Sequence, residues 1–331
     1  MRLINEFSWS FSRANTFTEC QKKYWYTYYG SWEGWPKTPR DERPSIDPLA
    51  AKLYMLKQIQ HLPMFIGSCV HTTIEEFLKK SRHTKKAISP ELLIEAGEKL
   101  FDKGLVDSKK GVWKAAPKKH ANLFEHYYGS TDISEEAITA AKAKITTSLS
   151  NWVSSPIVQQ LAFSPNSEWL SIEELNSFQL QGRFKIIVVI DFALKWKSGV
   201  ACLFDWKTGG ESDKTLTQLY CYALFANRTW GIPLDRIVIS PFYLFQNSYS
   251  KIGFQQEEPL SVEKLEQVEA EMLKSCEEMA VLHSTDPCPD PRLFAYTKDR
   301  GKCERCPFKE VCIGAEYQDL SRQELALVGK C

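Results

Sequence analysis

Residues 200–222 read VACLFDWKTGGESDKTLTQLYCY. Val200 to Phe204 is a near-continuous apolar run that stops at charges and then at Thr208-Gly209-Gly210, the pattern of a buried strand whose end reaches the edge of a core. Side chains alternate faces along a strand, so Asp205 and Lys207 point one way and Trp206 the other. A carboxylate and an ammonium then share one small site. Taken alone, an Asp-x-Lys pair is ordinarily a surface ion pair at a hairpin end. Its neighbours change that reading. Residues 178–194, FQLQGRFKIIVVIDFAL, form a β-branched stretch with Asp191 set after five consecutive aliphatic residues. A carboxylate buried there needs a cation or a donor beside it. Lys195-Trp196-Lys197-Ser198-Gly199 makes a turn, and antiparallel pairing across it brings Asp191 near Asp205. Two carboxylates converging beside a lysine invite a divalent cation. Downstream, a helix opening near Ser212-Asp213 places Gln218 and Tyr222, four apart, on one face.

Further out, a helix is expected from about Gly67 to Lys80, with Val70, Ile74, Phe77 and Leu78 as its apolar stripe. His71 sits beside that stripe, where a lone histidine is ordinarily a packed or surface residue. Glu75 and Glu76 lie within a turn or so of it, either one able to add a water-mediated contact. Near the chain ends lie Cys20 and the triplet Cys303-x2-Cys306-x5-Cys312. Three such ligands with one distant cysteine suit tetrahedral zinc or a [4Fe–4S] cluster, and spacing does not separate the two. Cys288 is the reserve ligand if Cys20 is buried elsewhere. Cys69, Cys202, Cys221 and Cys276 fall in periodic segments and read as core.

Gly67-Ser-Cys-Val-His71, Asp191, Asp205-Trp-Lys207-Thr-Gly209 and Gln218-x3-Tyr222, in that order, resemble the RecB-like branch of the PD-(D/E)xK nucleases. With Cys20 and the C-terminal triplet added, the pattern is similar to the iron–sulfur members of that branch, AddB-type nuclease domains and CRISPR-associated exonucleases among them. The resemblance spans roughly residues 8 to 315. It implies an α/β fold of the restriction-endonuclease type, a mixed central sheet flanked by helices. The activity it implies is metal-dependent hydrolysis of DNA, by an exonuclease acting on single-stranded or end-containing substrate. In that reading His71, Asp191, Asp205 and the backbone carbonyl of Trp206 hold Mg²⁺ or Mn²⁺. Lys207 orients or deprotonates the attacking water, and Gln218 and Tyr222 hold the DNA backbone or the Lys207 head. Cys20, Cys303, Cys306 and Cys312 bind a [4Fe–4S] cluster in preference to zinc, as a staple joining the two ends of the chain around the central sheet. One departure is Val188, where the branch usually has glycine three residues before the first aspartate. A catalytically silent nuclease-like module that grips DNA or a helicase partner, and a zinc-stabilised interaction domain, are the rival readings.

Length and composition fit this frame. At 331 residues and 43% hydrophobic content the chain can bury a large core. The expected division is a nuclease core over 1–285, with a helical insertion at about 85–160, and a cysteine-cluster segment over 286–331 closing onto the N-terminal helix. No long uninterrupted apolar stretch and no apolar N-terminal signal appear, so a cytoplasmic protein with no membrane partner is expected. In that reducing setting ten cysteines favour metal or cluster binding over disulfides. A net charge of +1 gives no global argument for nucleic acid. DNA contacts must come from local patches such as Lys79, Lys80, Arg82, Lys85 and Lys86, or the run from Lys109 through Lys119. No phosphate loop of the Gly-x4-Gly-Lys-Ser/Thr type occurs, so a helicase or defence-system subunit would be a separate polypeptide.

The remaining elements are read from caps and periodicity. One helix is expected over 10–29 from Ser10 or Ser12, an irregular loop over 30–48, and a helix from about Leu49 to Gln60. Residues 89–160 look helical almost throughout, with Trp113, Phe124, Tyr127, Tyr128 and Trp152 mostly packed. Three strands follow from Glu168 to Phe204, then a helix near 213–230, a strand at 239–245 with a hairpin partner around Lys251–Gln255, and a long helix over 261–283.

Overall fold

The computed structural model describes residues 4–38, 45–82, 89–129, 132–158, 164–253, 260–283 and 288–312. In chain order the elements begin with α1 (Phe11–Glu19), α2 (Gln21–Trp25), α3 (Pro48–Leu56), β1 (Ile59–Gln60), α4 (Leu62–Ser81) and α5 (Pro90–Lys110). Next come β2 (Asn122–Leu123), α6 (Phe124–Tyr128), α7 (Glu135–Ser154), β3 (Ser167–Leu180), β4 (Phe184–Trp196) and β5 (Ala201–Lys207). The chain continues through α8 (Asp213–Trp230), β6 (Ile237–Tyr243), β7 (Ser248–Tyr249), α9 (Val262–Ala280) and α10 (Arg300–Glu304). These group into two compact units. One contains the described residues of Met1–His61, Leu105–Ser130 and Ser275–Cys331, the other those of Leu62–Gly104 and Thr131–Lys274.

The second unit carries a five-stranded mixed sheet in the order β3-β4-β5-β6-β7, the α/β architecture expected. Pairing is antiparallel except between β5 and β6, which run parallel because α8 returns the chain between them. The β4–β5 ladder runs from Lys195↔Ala201 to Phe192↔Phe204 and stops. β5 goes on to Lys207, paired from there with β6 alone. Backbone groups of successive residues alternate sides in a strand. The Lys207 carbonyl accepts from Leu244 N on the β6 side at 2.7 Å, so the Trp206 peptide faces the side that β4 leaves open. Its indole stands on one face of the sheet, where it stacks on Phe204 at 5.1 Å and meets Trp152 of α7 edge-on at 6.2 Å. The sheet's aromatic ladder extends to Phe192, stacked on Phe204 at 5.8 Å.

In the first unit, the aromatic segment after Cys20 forms the core. Tyr24, Trp25, Tyr26 and Tyr29 are buried. A Cβ at Gly30 would stand 2.4 Å from the Trp25 ring, so only glycine lets that ring lie flat against the turn. The continuous helix expected over 10–29 is broken. Ser10 caps α1, as read from sequence, but Cys20 is extended at φ −165° and ψ 115°, ends α1, and caps α2 by accepting from Lys23 N. Residues 26–30 then widen into a π-turn. The helix expected to Gln60 ends at Leu56, because Ile59–Gln60 pair in parallel with Asn122–Leu123. The helical run expected over 89–160 is interrupted at Gly111, whose φ of 69° is left-handed and turns the chain into a short 3₁₀ segment. The strand expected at 239–245 lies at 237–243. Its hairpin partner is Ser248–Tyr249 with a bridge Ile239↔Ile252, while residues 254 and 255 fall outside those described. Cys69, Cys202, Cys221 and Cys276 are buried, as are Trp113 and Trp152. Among the described residues no helix is long and apolar enough to cross a membrane.

Candidate active site

The open edge beside β5 collects the polar groups of the second unit. α4 reaches it because a glycine lies at the approach: a Cβ on Gly67 would stand 3.1 Å from Thr208 Oγ1, in the turn that follows β5. One turn further along α4, His71 Nε2 lies 2.9 Å from the Trp206 carbonyl oxygen. The amide of the same residue donates to Asp191 Oδ2 at 2.6 Å. A side-chain carboxylate and an imidazole thus take the two backbone groups that a further β4 residue would have bonded, which is why the strand can stop pairing at little cost. Asp205, fully buried, accepts from Lys207 Nζ through Oδ1 at 3.0 Å, and the ammonium lies 2.7 Å from Oδ2. Lys207 also donates to Gln218 Oε1 at 3.3 Å, and Gln218 Nε2 donates to Tyr222 Oη at 2.5 Å. The i, i+4 pair on α8 therefore forms a short relay ending on the lysine head. His71, Asp191, Asp205, Trp206, Lys207, Gln218 and Tyr222 all belong to this one patch.

Sequence reasoning missed Glu173. Its Oε1 lies 3.2 Å from His71 Nδ1, closer than Asp191 Oδ2 at 3.7 Å. The signal was the hairpin register: counting outward from the turn at 181–183, with Leu180↔Phe184 as the first pair, places Glu173 opposite Asp191. The acids proposed instead are engaged elsewhere. Glu75 pairs with Lys79 at 2.5 Å and Glu76 with Lys80 at 3.9 Å, each the adjacent turn of α4. Those pairs, with Arg82 on Glu174 at 2.9 Å, also occupy the first three cations of the expected basic patch. Lys85 and Lys86 lie outside the described residues.

Electrostatics mark the patch as short of positive charge. Burial lowers the His71 pKa, but Asp191, Glu173 and Asp205 outweigh it and raise the imidazole to about 9. Burial pushes the Asp191 and Asp205 carboxyls up, against the pull of His71 and Lys207. Burial, with the two aspartates, also pushes up the Tyr222 hydroxyl. Three carboxylates face one lysine and one imidazole. Ligand atoms of His71, Glu173 and Asp191 all lie within 4.8 Å of one another, and the Trp206 carbonyl adjoins them. A divalent cation fits this donor set of imidazole, carboxylates and carbonyl.

A second constellation lies in the first unit. Cys20 at the N-cap of α2, Cys303 in α10, and Cys306 and Cys312 beyond it line one cavity, with Lys23, Tyr26 and Lys309 among its other walls. Cys288 is not among the lining residues. The loop bearing the triplet is tied to the aromatic segment: Lys22 Nζ donates to the Pro291 carbonyl at 3.0 Å and Trp25 Nε1 to that of Pro289 at 2.7 Å. Tyr128 Oη holds the Pro307 carbonyl at 2.8 Å. Burial pushes the Cys306 thiol up to about 11. Four converging thiols suit a thiophilic metal centre. Among the described residues the cysteine sulfurs form no trio within 4.8 Å, unlike the His71 group.

A family model described as the PD-(D/E)XK nuclease superfamily matches residues 8–313. No curated protein matches. A solved chain described as "Crystal structure of SSO0001" is similar at 16% identity, covering 72% of this chain and 95% of that one, with a TM-score of 0.28.

Proposed function

The chain belongs to the PD-(D/E)XK nuclease superfamily, and from that premise we propose that it is a metal-dependent deoxyribonuclease acting on single-stranded or free-ended DNA. His71, Asp191, Asp205 and the Trp206 carbonyl would hold the cation, and the imidazole makes Mn²⁺ as suitable as Mg²⁺. When bound, the divalent ion supplies Lewis acidity and positive charge to a phosphoryl oxygen. Lys207 supplies the adjacent donor. Anchored on Asp205 and steadied by Gln218, its ammonium keeps one N–H to present to the attacking water or the phosphate. Water oxygen attacks phosphorus, the ester bond to the leaving oxygen breaks, and the water's proton is passed on to that oxygen. Tyr222 fixes the Gln218 amide so that the lysine head keeps one direction. The observation that carries this reading is that Asp191 and His71 take the Trp206 N–H and C=O that β4 leaves unpaired, beside the Asp205–Lys207 pair.

The test is cleavage of end-labelled linear and circular DNA, single- and double-stranded, with Mn²⁺. Asp205→Ala and Lys207→Ala should each lose about 10²–10⁴-fold in rate while remaining folded, and circles should be spared by an exonuclease. Undiminished cleavage by both folded variants overturns the assignment. Cys20, Cys303, Cys306 and Cys312 are proposed to hold a structural [4Fe–4S] cluster. Their lining of one cavity supports a shared metal centre, and the resemblance to iron–sulfur nucleases favours the cluster over zinc. Protein purified without oxygen should be brown and contain iron; colourless, zinc-loaded protein refutes the cluster.

A further inference from the structure

We propose that Glu173 is the positioning residue of the metal site, accepting the Nδ1 proton of His71 so that Nε2 is the nitrogen turned to the cation. The inference rests on the metal site proposed above and deepens it. His71 is half-buried between two acceptors, with Glu173 Oε1 3.2 Å from Nδ1 and the Trp206 carbonyl 2.9 Å from Nε2. An imidazole binds a metal through one nitrogen, and the hydrogen bond made by the other selects which one and fixes the ring plane. Nε2 adjoins the carbonyl that shares the cation, so the orienting bond falls to Nδ1. Of the two carboxylates near Nδ1, Asp191 is already taken through Oδ2 by the Trp206 amide at 2.6 Å. Glu173 is the one with hydrogen-bond geometry to the ring.

The backbone points the same way. Glu173 has φ of 50°, a left-handed conformation that a long unbranched side chain adopts at a cost. It sits where the β3–β4 register, irregular from Trp169 to Ser171, passes from Ile172↔Phe192 to Glu174↔Ile190. Ser171 and Ile172 are both buried, as are their partners Ala193 and Phe192, so both faces of the hairpin are covered just before Glu173. A glycine would fit this conformation without strain, so a glutamate held there is explained by what its carboxylate touches.

The experiment measures Mn²⁺ affinity by calorimetry on the intact protein without DNA, beside histidine-selective ¹⁵N NMR of the Mg²⁺-loaded protein. Glu173→Ala should weaken Mn²⁺ binding about 10–100-fold and replace the Nδ1-protonated tautomer by a mixture. Glu173→Gln, whose amide oxygen still accepts from Nδ1, should recover most of the affinity and the single tautomer. Glu173→Gly should lose affinity as alanine does while its melting temperature holds or rises. Affinity and tautomer unchanged in Glu173→Ala overturn the inference, as does a glutamine variant as weak as alanine, which would make Glu173 a direct ligand. If wild-type protein and Asp191→Ala alike bind no Mn²⁺, the metal site itself falls, and this inference with it.

Discussion

His71 sets the acid–base behaviour of the patch. Both of its nitrogens face acceptors, so the metal-free ring keeps two protons, in line with a pKa raised to about 9 by three carboxylates. Such a group stabilises the fold fully below its ordinary 6.5 and loses that contribution as pH climbs through 9. The buried aspartates act with the same sign. Their protons leave the unfolded chain first, so stability falls as pH rises above the ordinary carboxylate range. Melting of chelated protein should therefore drop steadily from about pH 5 to about pH 9, and Asp191→Asn should flatten the slope. Mn²⁺ has to displace the Nε2 proton, so its stabilising shift should grow across the same range, by about tenfold in affinity per pH unit for each proton released. A metal effect independent of pH would contradict the two-acceptor geometry. Tyr222→Phe leaves the Gln218 amide without its buried partner and should cost about 1–3 kcal/mol in stability, read by urea denaturation, together with a slower cleavage rate. Asp191, Asp205 and Lys207 were legible at this scale because strand alternation and one short turn determine their neighbours. Glu173 was not, since its place opposite Asp191 emerges only when the register is counted across the whole hairpin from the turn at 181–183.

At the scale of elements, the patch depends on how α4 meets the end of β5. Gly67 gives the helix its approach to Thr208, and His71 follows one turn later. Gly67→Val adds three carbons where a single Cβ already stands at 3.1 Å. The helix then has to withdraw, at a cost of about 1–3 kcal/mol for overpacking, and both melting temperature and Mn²⁺ affinity should fall. Gly67→Ala, with less to accommodate, should show a smaller loss of each. Strands and the long helices could be read from sequence because their periodicity runs over many residues, as in α8 with Ser212 at its N-cap. The errors cluster at single residues that override a periodic pattern. Cys20 is extended in the middle of an apparently continuous helix, Gly111 takes a left-handed turn, and Ile59 abandons a helix for a two-residue strand. None of these breaks leaves a trace in hydrophobic spacing: Cys20 and Gly111 turn the chain through local backbone and cap bonds, and Ile59 is claimed by Asn122, distant in sequence.

For the whole molecule, the two units divide the chemistry: the carboxylate–imidazole patch lies in one and the four cysteines in the other. The α/β architecture was legible because apolar strand runs and helical segments are long and distinct. The grouping of Cys20 with the C-terminal triplet was suggested by resemblance, since no local pattern relates residues nearly three hundred positions apart. If those cysteines hold a cluster, Cys306→Ser should bleach the visible absorption. Hydrogen exchange should then show lost protection in α2 and in the loop tied to it through Lys22 and Trp25. Exchange in β4 and β5 should change least. Unaltered protection around α2 would mean that the loop holds its shape by those carbonyl bonds alone.

Trp206 belongs to two worlds at once, its amide plane among the acids and its ring clasped by Phe204 and Trp152. A shift of that carbonyl moves the backbone that carries the indole, and the indole is buried against those two rings. The residue is thereby a gauge wired into the protein. A fluorine label on this one ring should register ion loading from deep inside the sheet, with no nucleic acid present and no bond yet cut.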